Sequence, residues 1–234
     1  MKKSEPLQKQ FMRKLEDLSR SRGIREVFRE LVEIMALFIS NSVDADHYDA
    51  RKERYLQIVK PYSGTDLGSM AELFAMVQLM IIEHDDNPCD VLGAIYMEIG
   101  AANQKSGQVF TPDYICRLMA ALVGIPPKQE IMGKGCYTLN DPACGSGALI
   151  IGYIYEMRRA GIEYDKVFAT LEDIDIICVC MAYVQLSLYG VPAVVIHGNP
   201  LTMEEWSTWW TPACRVLMKE QENERVEGAG SSYI

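Results

Sequence analysis

The sequence predicts an α/β protein. A helical N-terminal domain over residues 1–104 precedes an abbreviated core with few parallel strands over 105–218, and a charged, flexible tail over 219–234. Three observations carry this. Apolar residues recur at helical spacing through the first hundred residues. From Cys136 onward, three short apolar runs alternate with two helical patterns, the order that builds a parallel sheet with crossover helices. The first of those runs stops at Asp141 and restarts as a helix after two glycines.

Taken in order, Pro6 to Arg22 reads as a basic amphipathic helix, with Leu7, Phe11, Leu15 and Leu18 on one face. The first 25 residues carry eight basic and three acidic side chains, so this face is either solvated or an arm for nucleic acid. Gly23 punctuates, and Ile24 to Asn41 follows as a core helix. A third helix spans His47 to Pro61, with Tyr48, Tyr55, Leu56 and Val59 inward. Asp66 caps a strongly apolar fourth, which ends at His84-Asp85-Asp86-Asn87-Pro88. Asp90 to Ala102 is the fifth. Lys105 to Pro112 is a loop in which Thr111 can cap the helix Pro112–Val123. The strands are Cys136–Asn140, Val167–Glu172 and Ala193–His197, separated by helices Ala148–Ala160 and Asp175–Tyr189. No fourth strand is expected beyond them; Trp206, Trp209 and Trp210 read as a hydrophobic cap, an oligomer contact or a base-stacking cluster.

Composition narrows the function. Seven scattered cysteines with no CxxC pair suggest neither a disulfide framework nor a zinc site, and no metal is expected. No stretch reaches the roughly 18 apolar residues of a membrane span, and no signal peptide is read, so the expectation is a cytoplasmic protein. The net charge is −9, and residues 136–234 hold 13 acidic against 6 basic side chains. A surface that neutralises DNA phosphates must therefore be local or come from a partner. His47, His84 and His197 are isolated near element ends and have no neighbouring nucleophile.

The stretch Asp141-Pro142-Ala143-Cys144-Gly145-Ser146-Gly147 joins strand to helix. Its glycines let a ligand approach the backbone, and the helix N-terminus offers N–H groups. Upstream lies Gly107-Gln108-Val109-Phe110-Thr111-Pro112, and downstream lies Leu171-Glu172-Asp173-Ile174-Asp175. Together, from about Asp90 to Leu201, these motifs resemble the modification subunits of type I restriction systems and related adenine-specific DNA methyltransferases that use S-adenosylmethionine. The resemblance implies a Rossmann-like methyltransferase core and a role in DNA methylation and restriction-modification.

It also implies cofactor contacts. Backbone amides around Gly145–Gly147, with Pro142, Ala143 and Cys144 in the same turn, suit the methionine carboxylate, and Asp141 suits its ammonium. Phe110 and Thr111 would close over that end. Asp173 would take the ribose hydroxyls, with Glu172 as the competing choice; Ile174 would lie against the adenine and Asn199 read its edge, although an Asn-Pro turn alone also explains Asn199. The family's base-clamp motif, an Asn or Asp with two prolines and an aromatic after a fourth strand, is absent, so no catalytic residue is assigned. Three strands would leave the first strand's edge open, to be covered by the chain itself or by another chain. Two functions stay open: an S-adenosylmethionine-binding methyltransferase of DNA adenine, completed by a partner or specificity subunit, or a regulatory or assembly module with a vestigial pocket.

Overall fold

The computed structural model describes residues 5–101, 111–127, 131 and 136–219. Its elements run α1 (Leu7–Leu18), α2 (Ile24–Asn41), α3 (Tyr48–Val59), α4 (Gly64–Glu83), α5 (Val91–Ala101) and α6 (Asp113–Val123). Then come β1 (Tyr137–Asp141), α7 (Ala148–Arg159), β2 (Val167–Asp173), α8 (Ile176–Leu188), β3 (Ala193–Asn199) and β4 (Glu204–Trp210). Residues 212–219 are helical.

The helical spacing of the first half sets its packing. In α2, Val27, Phe28, Leu31, Val32 and Met35 are buried, and the helix lies on α8 and α3. α8 is buried along nearly its whole length, Cys178 and Cys180 included, because α2 covers its outer side while β2 and β3 lie on its inner side. One hydrophobic cluster thus runs through both halves. α4 starts with a capping box: Ser63 Oγ accepts from Asp66 N–H, and the Asp66 carboxylate accepts from Ser63 N–H. Ser63, not Asp66, is the cap, since the helix begins at Gly64, three residues earlier than its apolar pattern suggests. In α3, Tyr48 and Leu56 point outward, at 39% and 54% exposure, rather than inward.

Two further expectations change. α4 is, by length and composition, apolar enough to cross a membrane, contrary to the sequence reading. Its Met70, Leu73, Val77, Met80 and Ile81 are buried, its Leu79 and Ile82 are exposed, and its Glu72 pairs with Lys14 of α1. On α1 and just after it, Arg13, Lys14, Arg20 and Arg22 are each met by a carboxylate of the chain: Glu5, Glu72, Asp17 and Glu30. The solvated-face reading of that helix therefore fits better than the nucleic-acid arm.

The sheet has four strands in the order β1-β2-β3-β4, not three. β1, β2 and β3 are parallel as the alternation requires, while β4 returns antiparallel on β3 through the turn at Asn199–Thr202. The tryptophans are therefore strand residues. Trp209 packs under the sheet against Tyr183, with the Arg51 guanidinium 4.2 Å over its ring. Arg51 also donates to the Thr208 carbonyl and to Asp44, which Arg215 meets from the other side at 2.7 Å. This latch fixes β4 and the helix after it to α2 and α3. β4 closes the β3 edge; among the described residues nothing pairs with the outer edge of β1.

The sheet is covered on one face. Val167, Ala169 and Leu171 of β2 are buried toward the helices, whereas Phe168, Thr170 and Glu172 are half-buried on the opposite face, and Thr138 and Asn140 of β1 are exposed there. α7 lies on β1, and α6 packs on α7.

Candidate functional site

The site forms where the three parallel strands end. β1 delivers Asp141, β2 Asp173 and β3 Asn199 to the same end of the sheet, because all three strands run the same way and their crossovers return the chain to the opposite end. The chain then turns at Pro142–Gly147. Gly145 and Gly147 adopt φ of 54° and 87°, left-handed values that favour glycine. At Gly147 space is also short: a Cβ there would lie 3.3 Å from that of Ala182. Cys144 N–H donates to the Glu172 carbonyl at 2.9 Å, and Gly147 N–H to the Cys144 carbonyl at 2.8 Å, so the turn is tied to β2 and to itself.

Asp173 is the centre of the arrangement. One carboxylate oxygen accepts from Gly145 N–H at 2.9 Å and the other from Asp175 N–H at 2.9 Å. Each oxygen keeps acceptor capacity for a further donor. Asp175 then caps α8 through Ile177 N–H. Pro142, Ala143, Asp173, Ile174, Asn199, Pro200 and Leu201 line an open cleft of about 530 Å³. Glu172 is not part of it, since side chains alternate along β2 and its carboxylate lies by Gly198 on the far side. Asn199 Oδ1 accepts from Leu201 N–H at 3.1 Å, so it does turn the chain, as the Asn-Pro reading holds, and it lines the cleft as well.

Asp141 lies behind the cleft wall and is 7% exposed. Oδ1 accepts from Ala143 N–H at 3.3 Å; Oδ2 is buried with no hydrogen-bond partner among the described residues. Burial pushes its pKa up, the Ala143 bond opposes this, and the charge of Asp173 adds to it. A buried carboxylate oxygen without a donor calls for a cation or a donor from outside the chain. Among the described residues no basic side chain lines the cleft, an arrangement that suits a cationic ligand with hydroxyls better than a phosphate-bearing one.

The expected residues therefore divide. Pro142, Ala143, Asp173, Ile174 and Asn199 share one cleft, with Asp141 behind it. Cys144 is buried at 6% and inert, its thiol pushed well up, burial being the largest cause. The N–H groups of Gly145 and Gly147 are already donated within the protein, so an anionic group is left to the first-turn amides of α7, which have no intrahelical partner. Thr111 is exposed and does not cap α6, whose N-cap is Pro112 with no side-chain bond. Phe110 lies outside the described residues. Pro200 and Leu201 were not anticipated; the signal available was their place directly after a strand that ends at the site.

One family model, described as N-6 DNA methylase, matches residues 87–220, more than half of the chain. Among solved structures, a Listeria monocytogenes protein described as a candidate class I S-adenosylmethionine-dependent methyltransferase matches with a TM-score of 0.43 and 16% identity. That match covers 82% of this chain and 53% of the other, so the chain spans about half the length of that protein. No curated protein matches. The chain belongs to the N-6 DNA methylase family.

Proposed function

We propose that the chain binds S-adenosylmethionine in this cleft and serves methyl transfer to adenine in DNA once another polypeptide completes the site. The observation that carries the reading is the convergence of Asp173, Ile174 and Asn199 on one cleft, next to an Asp141 oxygen that has no hydrogen-bond partner among the described residues. Asp173 takes the two ribose hydroxyls in a fork, Ile174 packs on the adenine, and the Asn199 amide meets the adenine edge. Asp141 answers the ammonium, directly or through water, and the α7 N-terminus faces the carboxylate. The cofactor, when bound, supplies the transferable methyl group.

The partner reading has its own support. The outer edge of β1 is unpaired among the described residues, next to Asp141. α6, which packs on α7, exposes Tyr114, Leu118, Met119, Leu122 and Val123, an apolar stripe of the kind that marks an interface. A strand added to β1 and seated on α6 would satisfy both and could carry the groups that hold a flipped base. The same exposed stripe also favours the second reading, an assembly module whose cleft has no catalytic use.

Calorimetric titration with S-adenosylmethionine tests the first reading. We expect micromolar binding that Asp173→Ala weakens by two orders of magnitude or more; no binding by the unmodified chain favours the assembly module. Labelled methyl transfer to unmethylated duplex, measured alone and with neighbouring gene products, separates a split enzyme from an inert one.

A further inference from the structure

We infer that Asp90 is a positioning residue: it clamps the glycine turn of the cofactor cleft to the helical half of the chain, so that the helical half sets cofactor affinity. The inference rests on the cleft being a cofactor site, and none of Asp90, Ser146 and Gln185 lines that cleft. Asp90, Ser146 and Gln185 are buried, the last two completely. Ser146 Oγ donates to Asp90 Oδ2 at 2.5 Å, and Gln185 Nε2 donates to Asp90 Oδ1 and to the Ser146 carbonyl, each at 2.9 Å. Gly93 N–H donates to Asp90 Oδ1 at 2.8 Å, which makes Asp90 the N-cap of α5. Leu92 N–H donates to Gln185 Oε1 at 3.0 Å.

The three residues come from three elements: the start of α5, the glycine turn and the last turn of α8. Ser146 sits between the two left-handed glycines, so its side chain and its carbonyl are both pinned. The next residue back, Gly145, donates to Asp173. A continuous chain of bonds thus leads from α5 through Asp90, Ser146 and Gly145 to the carboxylate at the cleft. A turn with two glycines has many conformers of its own, and holding it in one reduces the ordering cost of binding. Space is committed as well. A Cβ on Gly93 would fall 2.0 Å from Asp90 Oδ2 and 2.5 Å from Ser146 Oγ, so α5 approaches the turn as closely as only glycine allows.

The test uses the full chain, S-adenosylmethionine as the probe, and five variants. Asp90→Ala and Ser146→Ala should each weaken binding about tenfold, the effect of freeing one or two backbone residues, and the double variant should lose no more than Asp90→Ala alone. Asp90→Asn should stay near the parent affinity, because the amide still accepts from Gly93 and Gln185 and can donate to Ser146 Oγ. Ile99→Ala, a cavity on α5 away from the network, should lower stability yet leave affinity unchanged. Amide hydrogen exchange without ligand supplies a second readout: Gly147 N–H should exchange faster in Asp90→Ala than in Ile99→Ala. Equal exchange in those two variants, or equal loss of affinity in them, overturns the clamp. Absence of binding by the parent chain, with the exchange difference present, instead overturns the cofactor reading and leaves the clamp standing.

Discussion

Asp44 and Asp141 are both buried aspartates, 1% and 7% exposed, in opposite surroundings. Asp44 sits among hydrogen-bonding partners of its own chain: the cations Arg51 at 2.5 Å and Arg215 at 2.7 Å, and the His47 ring nitrogen at 3.0 Å. Burial works against its charge, but bonds from Arg51, Arg215 and His47 outweigh it and hold the pKa below the usual value. Asp141 has one backbone donor and one oxygen with none, and its pKa is pushed up. The first carboxylate is consumed by the fold; the second is kept in reserve. That difference separates a structural latch from a binding group more sharply than burial does.

The largest expected effect comes from breaking the latch. Asp44→Ala strands Arg51 and Arg215 without their shared partner and should cost about 3–5 kcal/mol in denaturant unfolding, with β4 released first. Asp141→Asn should do the reverse to the free protein, gaining about 1 kcal/mol near neutral pH by removing an unanswered charge, while it weakens cofactor binding about tenfold.

The two aspartates should also differ in pH dependence. The folded pKa of Asp44 lies below the unfolded one, so its stabilisation is complete above about pH 4 and drains away as pH falls through the folded value. The folded pKa of Asp141 is raised, so stability of the free protein declines as pH climbs from about 4 through that value, a slope that Asp141→Asn should flatten. Thermal melts from pH 3 to 8 would contradict this if both variants shifted the profile in the same direction. The smallest effect belongs to the α6 stripe. Leu122→Ser, at a side chain 77% exposed, should change stability by less than about 0.5 kcal/mol yet abolish any association seen by sedimentation.

The sequence made the regular parts legible and the long-range ones not. Strand and helix periods placed β2 and α7 within a residue, and the glycine turn and the acid at Asp173 were read where they lie. β4 is not expected from the sequence, where its tryptophans read as a hydrophobic cap, an oligomer contact or a base-stacking cluster. The available signal was the Asn199-Pro200 turn followed by Trp206, Thr208, Trp209 and Trp210, residue types that favour strands. Asp90 is legible in the sequence as the start of a helix and of the stretch that resembles the family, but not as a clamp, since its partners lie 56 and 95 residues away and no local pattern announces a buried polar network. The latch at Asp44 and Arg51 was hidden for the same reason.

The most direct measurement is a crystal structure of the chain soaked with S-adenosylmethionine. We predict density for the nucleoside between Ile174 and Asn199, its sugar hydroxyls on the Asp173 carboxylate and its ammonium toward Asp141. A cleft filled by the protein's own side chains, or the cofactor bound at another surface with Asp141 Oδ2 still unpartnered, would contradict the account.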